Sequence, residues 1–128
     1  MSITAKNITK TYGNQKALDD ISFTIEKGEI TGFLGPNGAG KSTMMKILTT
    51  YLSPTSGTSL INGFSTENEK IAVQKSIGYL PENNPLYLDM YIREYLKFNA
   101  DIYKIDKNRI EEVIELTGIT PEVQKKIG

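Results

Sequence analysis

Apolar and polar positions alternate from the first residues. Ile3, Ala5 and Ile8 lead to Tyr12, Gly13 and Asn14 supply a turn, and Ala17-Leu18 resumes, the pattern of an antiparallel strand pair. Ile21-Ser22-Phe23-Thr24-Ile25 alternates at period two and reads as a third strand, closed by the polar turn Glu26-Lys27-Gly28-Glu29. The short apolar run Ile30-Thr31-Gly32-Phe33-Leu34 predicts a strand buried on both faces that stops abruptly at a glycine-rich loop. Behind that loop, Met44, Met45, Ile47, Leu48 and Leu52 recur at helical spacing, predicting a helix over 42–52 that Ser53-Pro54 ends. A strand over 58–61 with a turn at Asn62-Gly63 follows, then a short helix over 69–75 leading to Ile77-Gly78-Tyr79-Leu80. After the break at 81–85, one helical face carries Ile92, Tyr95, Leu96, Phe98, Ile102 and Tyr103, and a second helix carries Ile110, Val113 and Ile114. The aromatic stripe among them reads as core packing or contact with a partner helix. The fold class is α/β, with an expected division into a β and phosphate-loop portion over 1–88 and a helical portion over 89–128.

Composition narrows the chemistry. With 128 residues, 38% hydrophobic and 23% charged, the chain has room for one folded unit of ordinary size. It holds neither cysteine nor histidine, which excludes disulfides, thiol nucleophiles, imidazole bases and the usual zinc ligands, so a metal would take oxygen ligands. Fifteen basic residues balance fifteen acidic ones, and nothing in the charge calls for nucleic acid or an anionic membrane as partner. No apolar stretch has the length of a signal peptide or a bilayer-spanning helix, and a cytoplasmic location is expected. The glycosylation match Asn7-Ile8-Thr9 reads as chance within a strand.

One segment carries specific chemistry. Gly35-Pro36-Asn37-Gly38-Ala39-Gly40-Lys41-Ser42 fits the phosphate-loop spacing of glycine, four residues, glycine, lysine and a hydroxyl residue. Glycines at 35, 38 and 40 allow backbone angles closed to other residues and leave the amides open to an approaching phosphate. A helix opening behind them points its unpaired amides and dipole at the same place. Lys41 is expected to reach the outer phosphates, Ser42 to offer its hydroxyl to magnesium, and Thr43 to add a phosphate hydrogen bond.

The wording Leu-Gly-Pro-Asn-Gly-Ala-Gly-Lys-Ser-Thr resembles the nucleotide-binding subunits of ABC transporters, and the likeness runs over the whole chain. The resemblance implies ATP and magnesium as cofactors, a transmembrane permease subunit and a second nucleotide-binding subunit as partners, and a place on the inner face of the cell membrane. It casts Tyr12 as the aromatic that stacks on adenine. Ile77-Gly78-Tyr79-Leu80-Pro81-Glu82 resembles the loop that contacts magnesium and the transport partner, with Glu82 where most members have glutamine. The segment 79–87 looks most like the gliding-motility branch. The family's glycine-rich signature, its aspartate and glutamate at the end of an apolar strand, and its switch histidine have no counterpart here, so the chain looks truncated and is expected to bind ATP without turnover. Two alternatives use the same loop: a soluble ATPase of this family without a permease, and a phosphate-loop phosphotransferase. The second needs a basic lid, and Arg93 and Arg109 are the only arginines.

Overall fold

In the computed structural model, which describes residues 1–128, the opening alternation becomes two long antiparallel strands, β1 (Ile3–Tyr12) and β2 (Gln15–Ile25). The separate strands expected around Ala17-Leu18 and at 21–25 are one strand, because the polar residues between them form a bulge instead of a break. Asn7 and Asp20 both take left-handed backbone angles, φ 52° and 53°, a region that Asn and Asp tolerate better than other side chains. They lock each other in place: Asn7 Nδ2 donates to Asp20 Oδ1 at 2.7 Å, and the Asp20 amide donates to Thr9 Oγ1 at 3.0 Å. β3 (Ser56–Ile61) pairs with the other edge of β1, and β4 (Phe64–Ser65) closes a hairpin through Asn62-Gly63, giving the order β2-β1-β3-β4.

One face of this sheet carries α1 (Lys41–Leu48) and α2 (Lys70–Ser76). Ala5, Ile8, Leu18 and Ile61 from the strands bury against Met44, Ile47 and Leu48 of α1 and Val73 of α2. Burying large aliphatic side chains of this kind contributes about 1.5–3 kcal/mol each, which is what holds α1 at a fixed height over the sheet. α1 is shorter than the helix expected over 42–52. Thr50 turns left-handed at φ 66°, the Leu52 amide reaches back to Lys46 O at 3.0 Å, and Gln74 Nε2 donates to Thr50 Oγ1 at 2.8 Å. Tertiary bonds to a buried threonine thus end the helix before Pro54 can.

The larger departure is at 30–34. The buried strand expected there does not form: Ile30 and Leu34 are almost fully exposed, and only Phe33 packs, its ring 5.8 Å from that of Phe23. Apolar, β-prone residues set a preference, but a strand exists through its ladder, and no segment of residues 1–128 pairs with this one.

The chain divides into two compact units, Met1–Leu80 and Pro81–Gly128, ahead of the boundary expected after residue 88. The difference has a local cause, since Tyr87 packs edge-on against Phe98 at 5.9 Å and Leu88 O accepts the Gly128 amide at 3.1 Å. The second unit holds α3 (Ile92–Tyr103), α4 (Asn108–Leu116) and a 3-10 turn (Thr120–Glu122) around buried Ala100, Ile114 and Val123. Lys104 ends α3 in the left-handed region, and an Arg93–Glu111 ion pair joins the two helices. The aromatic stripe is only partly packed: Tyr95 is half-buried, whereas Ile102 and Tyr103 face solvent.

Candidate functional site

The phosphate loop ends where α1 begins. Gly40 is the helix N-cap at φ 82°, and the first helical bond runs from the Met44 amide to Gly40 O at 2.9 Å. The amides of Lys41, Ser42 and Thr43 therefore precede the hydrogen-bonded ladder and have no acceptor within the helix. The first turn holds no acidic residue and carries Lys41 instead, the opposite of what the helix dipole favours unless an anion binds there. A helix does open directly behind the loop, as its sequence predicts.

Other parts of it change. Gly38 and Gly40 take positive φ, but Gly35 does not; what Gly35 supplies is room, since an added Cβ would lie 3.3 Å from that of Ala39. The Ala39 amide donates to Pro36 O at 3.2 Å and closes a turn, so it is not one of the open donors. Asn37 lies exposed within the same turn. Lys41 Nζ does not extend outward: it donates to the carbonyls of Gly35 and of Pro36, the latter at 2.6 Å. An ammonium needs acceptors, and these two carbonyls are within reach of its own side chain.

A tertiary contact sets the loop's position. A Cβ on Gly40 would fall 2.2 Å from Ala17 O and 2.7 Å from Leu18 Cδ2, so the loop's end rests directly on the β2 backbone. Tyr12 pairs with Gln15 on that strand, two residues and therefore about 7 Å along from Ala17. Tyr12 is 50% exposed, enough for one ring face to meet a planar ligand. In the first unit Tyr12 and the loop's end thus meet β2 two strand positions apart. Glu82 belongs to the second unit, exposed in the irregular segment ahead of α3. A cavity of about 390 Å³ lined by Phe23, Ile25, Phe33, Met44, Met45 and Leu48 is mainly apolar and contains none of the expected site residues.

Sequence reasoning missed the surroundings of Tyr12. Lys10 Nζ lies 5.4 Å from the ring centroid and donates to Ser53 O at 2.8 Å. The available signal was the spacing: residues two apart on a strand share a face.

Comparison with known proteins follows the same outline. The family model described as ABC transporter matches residues 18–128. The bacitracin transport ATP-binding protein of Bacillus licheniformis is 39% identical over 127 residues, covering 98% of this chain and 42% of its own length. The linearmycin resistance ATP-binding protein of Bacillus subtilis is 35% identical, covering 96% of this chain and 41% of its own length. The chain therefore spans about two-fifths of these curated relatives. Among solved structures, a putative ABC transporter ATP-binding protein from Pyrococcus furiosus superimposes with a TM-score of 0.79 at 32% identity, over 100% of this chain and 62% of that one. An ATP-binding subunit of an ABC transporter gives 0.82 at 25% identity, over 98% and 54%.

Proposed function

The chain belongs to the ABC transporter family, and from that premise we propose that it binds ATP at the phosphate loop as part of a subunit that drives transport across a membrane. The observation that carries this reading is α1, whose open first-turn amides follow a left-handed glycine and carry a lysine where the helix dipole asks for an anion. In it, the amides of Gly38, Gly40, Lys41, Ser42 and Thr43 hold phosphate oxygens. Lys41 turns from its two carbonyls to the outer phosphates, and Tyr12 stacks on the adenine. Stacking uses a ring face and reads no base edge, so affinity for ATP does not strongly exclude GTP.

The donor set fits magnesium. Ser42 is exposed in the first turn of α1 and has a hydroxyl to offer, and a hard cation that keeps several of its waters needs few protein oxygens. Ser42 would hold the ion beside the phosphates; when bound, the ion would neutralise charge on the phosphate oxygens. Glu82, in the loop whose family counterpart contacts magnesium and the transport partner, couples nucleotide state to the permease subunit. Glu82→Ala is expected to lower permease-stimulated ATPase in the assembled transporter; stimulated activity equal to wild type would leave it a solvated loop carboxylate.

No helix is long and apolar enough to cross a membrane. The proposed location is cytoplasmic and peripheral, with a permease and a second nucleotide-binding subunit as partners and no nucleic acid. Within residues 1–128 there is no histidine and no apolar strand ending in Asp-Glu to activate water. The purified chain is therefore expected to bind ATP while hydrolysing it at background rate. Steady phosphate release in a coupled assay would contradict that division of labour, whereas failure to bind ATP at all would remove the reading.

A further inference from the structure

We infer that Lys10 is a positioning residue for the nucleotide base, acting through Tyr12; the inference rests on the reading of Tyr12 as the stacking surface. Tyr12 sits at the last position of β1, next to a two-residue turn, where a strand end is free to fray. What fixes it is the connector that follows α1. The Thr55 amide donates to Thr9 O at 2.8 Å, the Thr11 amide donates to Thr55 Oγ1 at 3.0 Å, and Lys10 Nζ donates to Ser53 O at 2.8 Å.

The last of these bonds has a second effect. Lys10 and Tyr12 point to the same side of the strand, so anchoring the ammonium on Ser53 brings it over the tyrosine ring, 5.4 Å from the centroid. A cation at that distance is attracted by the ring quadrupole and restrains the ring's rotation. It also covers one face, leaving the opposite face for a base. The connector leads from α1, whose other end is the phosphate loop, so one short stretch of chain ties the base surface to the phosphate cradle. Lys10 thus sets the ring's orientation without touching the nucleotide's phosphates.

The experiment compares ATP with inorganic tripolyphosphate, which has the phosphates and no base, by calorimetry on the wild-type chain and on Lys10→Met, Lys10→Arg and Tyr12→Ala. Lys10→Met is expected to weaken ATP binding about two- to fivefold and leave tripolyphosphate binding unchanged, which also reports an intact fold. Lys10→Arg, which keeps the cation, is expected to retain ATP affinity. Tyr12→Ala is expected to weaken ATP about fivefold or more, again without effect on tripolyphosphate. ATP affinity intact in Lys10→Met but lost in Tyr12→Ala overturns the inference while the stacking surface stands. Equal weakening of both ligands by Lys10→Met also overturns it, as a general charge effect. ATP affinity unchanged in Tyr12→Ala removes the stacking surface and the inference with it.

Discussion

Lys41→Ala is expected to weaken binding of the triphosphate by about tenfold or more, measured by isothermal calorimetry with MgATP. A charge-assisted hydrogen bond contributes about 1.5–3 kcal/mol, and each 1.4 kcal/mol is a factor of ten. The structure adds an opposing contribution, because the ammonium already donates to the carbonyls of Gly35 and Pro36 and must leave them to meet a phosphate. Removing the side chain loses the phosphate bonds but also the competing internal ones. The net loss stays large because a phosphate oxygen carries formal charge and a carbonyl does not. The same substitution should loosen the loop over 35–39, seen as faster exchange of the Ala39 amide, which depends on the turn to Pro36. Affinity equal to wild type would remove Lys41 from the site.

Gly40→Ala is expected to be the most disruptive single substitution in the loop, and its cause is steric rather than electrostatic. Two costs add. A left-handed backbone costs a residue with a Cβ about 1–2 kcal/mol. The new Cβ would also overlap the Ala17 carbonyl at 2.2 Å, and forcing backbone apart in a packed site costs about 1–3 kcal/mol. The sum, on the order of 3 kcal/mol, should lower the thermal midpoint by roughly 10 °C and displace α1's first turn from β2. Gly38→Ala is the control. Its φ of 83° matches that of Gly40, but an added Cβ meets nothing within 4 Å, so only the backbone cost of about 1–2 kcal/mol applies. Equal destabilisation by the two substitutions, read from thermal melts, would show that contact with β2 does not position the loop.

What could be read in advance was whatever depends on neighbours in sequence. The turn at Gly13-Asn14, the hairpin at Asn62-Gly63, the helix that opens behind Gly40 and the positive φ at Gly38 and Gly40 are local, and the residue types declare them. Residues 30–34 show the limit. Their apolar character was legible, but whether they become a strand depends on a partner that no local pattern reveals. Ala17-Leu18 and 21–25 were read as separate strands because the polar Asp19-Asp20 between them looks like a break in sequence; the bond from Asn7 to Asp20, which carries the strand through as a bulge, lies on another strand. Thr50 ends α1 for a reason held by Gln74, which lies in another helix. In the site itself, residue identities were legible and side-chain directions were not. Lys41 was assigned to phosphates by its charge, and its acceptors in the structure are carbonyls brought near by the curl of the loop.

The reading rests on main-chain amides as the phosphate cradle, and amide chemical shifts test it without enzyme turnover or a partner. Titration of the ¹⁵N-labelled chain with tripolyphosphate should move the resonances of Gly38, Gly40, Lys41, Ser42 and Thr43 together along one saturable curve, with Ala39 moving least because it already donates to Pro36. Saturable binding that shifts amides elsewhere, or leaves these five in place, would contradict it.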